Sequence, residues 1–115
     1  MKNAVVIKVR DLSVCDHFYR EILQLGTPEL TSSFGCFYRI SEDSGLYLLK
    51  TTATFLEHGS SAVSWCFSTP DMKGLEKRLK EAGFPLLKEP FHLGCDVCRR
   101  GTDPEGNQFF VMEKN

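Results

Sequence analysis

Ala4-Val5-Val6-Ile7-Lys8-Val9-Arg10-Asp11-Leu12 runs into Ser13-Val14-Cys15-Asp16-His17-Phe18-Tyr19-Arg20-Glu21-Ile22-Leu23-Gln24-Leu25-Gly26, and the reading of this stretch decides the fold. Residues 4–9 are mostly apolar and β-branched, the composition of a strand. Asp11 follows at a strand-to-helix turn. From there Val14, Phe18, Ile22 and Leu25 recur every three or four residues until Gly26, so the spacing predicts a helix over 13–25 with one apolar stripe laid on a sheet. Pro28 prevents further helix. Two β-rich runs, 36–40 and 46–51, then flank a polar turn over 41–45 and read as a hairpin.

The second half repeats this order. Residues 62–68 read as a strand, Pro70-Asp71 as turn and cap, Leu75, Leu79 and Ala82 as a helix stripe, and Gly83 as its end. Apolar runs return around Leu86-Leu87, over 95–98 and over 108–112. Asp11 and Asp71 stand about half the chain apart, so internal duplication is the economical reading. The fold class expected is α+β: two βαβββ units, about 1–55 and 60–115, in one domain, forming a curled mixed sheet (a cup) with helices on its outer face. A doubly wound parallel fold ranks below it, because each helix is followed by a strand series and not by another helix.

A chain of 115 residues, 42% hydrophobic and 25% charged, has the means to bury one core. The net charge of -1 removes the usual argument for nucleic acid, since a duplex binder needs clustered cations. No run approaches the roughly 18 apolar residues of a membrane span, and a strand-like run stands where a signal peptide would, so the expectation is a cytoplasmic protein. Five cysteines form an odd set that fits reduced thiols, four of them in apolar runs where a thiol acts as a small buried hydrophobe.

Val9-Arg10-Asp11-Leu12, then Phe18 to Gly26, and later Asp103-Pro104-Glu105-Gly106-Asn107 before a closing run, together resemble the glyoxalase/bleomycin-resistance/extradiol-dioxygenase superfamily, the vicinal oxygen chelate fold. The resemblance covers nearly the whole chain. It implies a metal-binding cup with a His on the first strand of each unit and a Glu or Gln on the last. Counting along the resemblance puts those positions at Ala4, Tyr47, Ser64 and Phe110. A methyl, a phenol, a hydroxyl and a phenyl ring make no cage for a divalent ion, so no metal and no cofactor are expected.

Strand parity then names the cup lining. Ala4, Val6, Lys8, Tyr47, Leu49, Ser64, Cys66, Ser68, Gln108, Phe110 and Met112 share one face, while Val5, Ile7, Val9, Val63, Trp65, Phe67, Phe109 and Val111 face helices. The ligand-binding set expected is Lys8, Tyr47, Ser64, Cys66, Phe110 and Met112, with His92 at the pocket mouth. His17 and His58 read as solvated surface residues. Cys95 and Cys98 have half-zinc spacing, but a strand would point them to opposite faces, and no second pair exists. Lys8 and the absence of a cup carboxylate favour a neutral or anionic guest over a cationic antibiotic.

Three readings remain open. The first is a metal-independent small-molecule-binding protein, with no nucleic-acid or membrane partner, that pairs as a homodimer. The second is a lyase, isomerase or dioxygenase-like enzyme of the same superfamily, working by acid/base chemistry through Tyr47, Lys8 or His92 or by recruiting a metal through ligands at other positions. The third is a degenerate domain kept for dimerisation, its cup filled by its own side chains.

Overall fold

The computed structural model describes residues 3–51 and 64–113. Val63, Ala62 and His58, which the sequence reading placed on a strand or loop, lie outside them. The chain divides into two compact units between Val63 and Ser64. Each contains a four-stranded sheet and a helical segment, so the class is α+β. No helix among the described residues is long and apolar enough to cross a membrane.

In the first unit β1 (Asn3–Val9) leads into α1 (Leu12–His17), followed by β2 (Leu30–Thr31), β3 (Gly35–Arg39) and β4 (Ser44–Lys50). The sheet order is β1-β4-β3-β2; β1 runs parallel to β4 and the other pairs are antiparallel. Asp11 is the N-cap of α1, its Oδ1 accepting the Val14 N–H at 3.1 Å. Alternation then sorts β1: Ile7 and Val9 are fully buried, while Ala4, Val6 and Lys8 are exposed.

The first helix departs from the expected stripe. Beyond His17 the chain winds as a π-helix over Phe18–Ile22, with the Leu23 N–H donating to the Phe18 carbonyl at 2.9 Å, five residues back. The wider turn shifts the buried face. Cys15, Phe18, Tyr19 and Leu23 go inward, and Val14, expected on the stripe, is 47% exposed. Tyr19 approaches Tyr38 of β3 at 6.4 Å between ring centroids. The Tyr38 hydroxyl donates to Asp16 Oδ1, and Asp16 pairs with Arg20 at 3.1 Å, so a buried phenol is satisfied by a carboxylate at the helix surface.

The second unit repeats the topology. β5 (Trp65–Thr69), α2 (Met72–Ala82), β6 (Phe91–Leu93), β7 (Asp96–Thr102) and β8 (Gln108–Glu113) give the order β5-β8-β7-β6, with β5 parallel to β8. Asp71 caps α2 by accepting the Gly74 N–H at 3.0 Å, and Gly83 closes it in the left-handed region at φ 91°. The helix side of this sheet carries Trp65, Phe67, Phe109 and Val111, all buried, with Trp65 stacked on Phe67 at 4.7 Å. Leu75, Leu79 and Leu86 complete the core of this unit. Trp65 is therefore a core residue, as its parity predicts.

Two boundaries differ from the sequence reading. Cys95 does not lie on a strand: Gly94-Cys95 is the two-residue turn between β6 and β7, with Gly94 at φ 63°, so Cys95 is exposed while Cys98 is buried. Leu86-Leu87 is not a strand either; the Leu87 N–H donates to the Arg100 carbonyl, and the strand forms five residues later at Phe91. The Asp103-Pro104-Glu105-Gly106-Asn107 segment is a closed turn. Asp103 Oδ1 accepts the N–H groups of Glu105 and Asn107, and Oδ2 accepts from Asn107 Nδ2, so the carboxylate is consumed within the turn.

Gly45 fixes the packing of the first sheet. A Cβ there would lie 2.2 Å from the Phe37 ring and 2.8 Å from the Tyr38 carbonyl oxygen. Gly45→Ala is expected to destabilise the protein by about 1–3 kcal/mol, since the ring has no free volume into which to retreat. Urea denaturation followed by Trp65 fluorescence and circular dichroism measures it.

Candidate functional site

Each sheet is covered by its helix on one side, and the opposite face carries the predicted ligand residues. In the first unit the register sets Ala4 opposite Gly45, Val6 opposite Tyr47 and Lys8 opposite Leu49. Paired residues project to the same side, so Val6, Lys8, Tyr47 and Leu49 share this face with Phe37, the partner of Tyr47 on β3, whose ring is itself buried. Tyr47 is half-buried, its ring lying over Gly35, where an added Cβ would come within 2.7 Å of Cε1.

In the second unit Cys66 stands opposite Phe110 and Ser68 opposite Met112. Ser64 immediately precedes β5 and is exposed, as are Cys66 and Ser68, whereas Gln108, Phe110 and Met112 are half-buried. Cys66 is thus a correction to the expectation that thiols in apolar runs are buried: it has the exposed parity of its strand. The Cys66 thiol is pushed up to about 11, first by the desolvation it suffers on the sheet and then by the neighbouring Cys98 and Asp96. At neutral pH it is a neutral thiol.

The structure brings in two residues that the sequence reading did not select. Arg100 pairs with Phe110 across β7–β8, and Phe91 pairs with Cys98 across β6–β7, so both join this face. The Phe91 and Phe110 rings lie 5.1 Å apart, and the Arg100 guanidinium carbon stands 5.2 Å from the Phe91 centroid. The signal available in sequence was parity alone: Arg100 is an even number of residues from Cys98, and Arg99 is not. Arg99 turns to the helix side, donating to Glu76 of α2 at 2.9 Å and to the Leu87 carbonyl at 3.0 Å. His92 stands opposite Val97, on the other side of β6 from Phe91, and is exposed. The structure therefore groups Cys66, Phe110 and Met112 with Phe91 and Arg100, groups Lys8 with Tyr47 in the first unit, and sets His92 apart.

A separate concavity of about 560 Å³ lies at the carboxyl ends of β1 and β4. Arg10, Lys50, Asp16, Ser13 and Ser33 line it, with the buried Cys36. Burial, and then the Asp16 carboxylate, push the Cys36 thiol up, so it is no activated nucleophile. Both charge signs meet in this cavity.

The positions that the sequence resemblance assigns to metal ligands carry no imidazole or carboxylate. Ala4 and Tyr47 lie on one face of the first sheet and Phe110 on the open face of the second, after the exposed Ser64; their strand partners Gly45, Val6 and Cys66 add a single soft donor. Among the described residues there is no group of three or more His, Cys, Asp or Glu placed to hold an ion.

No protein-family model matches the sequence, and no curated protein sequence does. Solved structures do. A putative glyoxalase from Bacillus halodurans superposes with a TM-score of 0.76 at 21% identity, covering 99% of this chain and 96% of that one. Lactoylglutathione lyase from Agrobacterium tumefaciens gives 0.70 at 18% identity, covering 98% and 92%. A glyoxalase/bleomycin resistance protein from Catenulispora acidiphila gives 0.68 at 18%, covering 100% and 99%. The paired βαβββ topology and these likenesses agree: the chain has the fold of the glyoxalase/bleomycin-resistance/extradiol-dioxygenase superfamily, the vicinal oxygen chelate fold.

Proposed function

We propose that this is a metal-independent small-molecule-binding protein that holds a small neutral or anionic compound on its open sheet faces. The observation that carries the reading is the composition of the second unit's face, where aromatic, thiol and thioether surface surrounds one cation; the absence of imidazole and carboxylate at the positions counted along the family resemblance supports it. Such sparse polar orientation within apolar surface is the make-up of a ligand site. Lys8 and Tyr47 supply the equivalent polar points in the first unit. Lys8 is exposed, which favours presenting charge to a ligand over proton abstraction, so the binding reading stands ahead of the lyase, isomerase or dioxygenase alternative. Five free cysteines, three of them buried, support a reducing, cytoplasmic setting.

Homodimer formation belongs to the same reading. Its support is the apolar surface at the first unit's outer hairpin, where Leu30 is 65% and Phe34 70% exposed, more than a solitary surface residue requires. Sedimentation equilibrium of the full chain is expected to give a dimer at micromolar concentration, weakened by Phe34→Ser. A concentration-independent monomer contradicts it.

Added zinc, nickel, manganese or iron(II) is expected to leave the melting temperature unchanged. A metal that bound only the folded state would add about 2.7 kcal/mol at a hundredfold excess over its Kd, a shift that differential scanning calorimetry resolves. Such a shift would restore the metalloenzyme alternative.

Cys66 gives a pH signature. Its folded-state value lies above the ordinary 9.0, so its contribution to stability is complete below pH 9.0 and is lost as pH rises through about 11. Alkylation of native protein by iodoacetamide, read by peptide mass spectrometry, is expected to keep accelerating at Cys66 up to about that pH. A plateau near pH 9.0 would show an unshifted thiol.

A further inference from the structure

Arg100 differs from the arginines that hold the fold together. Arg39 pairs with Glu29 at 2.6 Å, Arg99 with Glu76 at 2.9 Å and Arg20 with Asp16 at 3.1 Å, each closing a link between neighbouring elements or turns. The Arg20 Nε–H is buried without a hydrogen bond, but its guanidinium is ion-paired. The Arg100 guanidinium is engaged by the Phe91 ring, and its Nε–H is buried without a hydrogen-bond acceptor among the described residues. A buried donor of this kind normally finds a partner. No carboxylate answers it on its own strand within one pleat repeat; the one acid of the same parity, Asp96, lies four residues away at the start of β7.

We propose that Arg100 anchors a planar aromatic carboxylate, whose oxygens take the guanidinium N–H groups and whose ring lies against Phe91 and Phe110. This rests on the reading of the second unit's open face as a small-molecule site and names its ligand class. Three features converge. The guanidinium fork matches a carboxylate in a planar, two-point contact that an ammonium cannot reproduce. Pairing of Arg100 with Phe110 and the 5.1 Å separation of the two rings put flat apolar surface directly beside that fork, so ring and carboxylate are recognised within one ligand's span. Cys66, opposite Phe110, is a neutral thiol at physiological pH and brings no competing charge.

The test titrates the full-length chain with 2-naphthoate, its neutral analogue 2-naphthamide, and acetate, following backbone amide NMR shifts and titration calorimetry. Naphthoate is expected to shift the amides of Phe91, Arg100 and Phe110 and to bind at least tenfold more tightly than naphthamide, with acetate weaker still. Arg100→Gln should remove that tenfold preference and leave naphthamide binding unchanged. Phe110→Leu should weaken naphthoate and naphthamide alike by threefold or more, and it tests the aromatic half of the site even if the Arg100 variant fails to fold. Equal affinity for naphthoate and naphthamide in the unmodified protein overturns the proposal, as does an Arg100→Gln variant that folds and keeps the preference. Binding of naphthamide without naphthoate overturns the anchor while leaving the small-molecule reading standing. Tight acetate binding equal to naphthoate replaces an aromatic ligand with a simple oxyanion and overturns the proposal too. Failure of all three probes overturns this inference and leaves the broader small-molecule reading standing.

Discussion

Parallel pairing of the first strand of each unit with its last, β1 with β4 and β5 with β8, is the constraint on which the remaining structure depends. Parallel neighbours cannot be joined by a tight turn, so the chain must leave the sheet and return, and the helix is that crossover. A single helix covers a single face. The period of two along each strand then divides every residue between a helix-covered side and an open side, with no intermediate choice. Ile7, Val9, Leu46 and Leu48 in one unit, and Trp65, Phe67, Phe109 and Val111 in the other, are buried because they share that parity.

The open side is apolar as well, and this is where the fold leaves ordinary sandwich logic. A solvated sheet face normally alternates to polar side chains. Here Phe37 and Tyr47 lie across Gly45 and Gly35, each ring occupying the space that a Cβ would take. The arrangement lays both rings flat on the sheet, the Phe37 ring buried, with Lys8 as an exposed polar group on the same face. In the second unit the glycine works on the other side: a Cβ on Gly101 would meet Phe109 and Leu86, so it relieves the helix-facing core, and the open side receives Phe91, Phe110 and Arg100 instead. Two copies of one topology therefore present different chemistry, one phenol and amine, the other guanidinium, thiol and paired rings.

Much of this was legible in the sequence, for a physical reason. Strand parity, the Asp caps and the Gly83 stop are local, and local rules are what a single sequence carries. The parts that were not legible depend on partners remote in the chain. The π-turn after His17 moves the buried position from Ile22 to Leu23, a change of one residue's rotation that an α-helical stripe of Val14, Phe18, Ile22 and Leu25 does not foreshadow. Cys95 looks like part of a strand until Gly94 is seen to adopt φ 63° and turn the hairpin. Of the candidate site, Cys66, Phe110 and Met112 followed from parity. Phe91 and Arg100 did not, because the short strand β6 was absent from the sequence reading and the register of β7 rested on an apolar run that its own turn truncates.

Adjacent arginines show how far one step of that register reaches. Arg99 and Arg100 have the same side chain and adjacent places on β7, yet the pleat sends one to Glu76 and the Leu87 carbonyl and the other to the Phe91 ring. The first guanidinium is used up in holding β7 to α2. The second has an Nε–H with no hydrogen-bond acceptor among the described residues. A net charge of -1 conceals this difference, because composition counts both arginines alike. The role of a charge in this sheet is thus set by the face on which it is placed, and a shift of one residue in β7 would exchange the ion-paired arginine for the one beside the Phe91 ring without altering a single side chain.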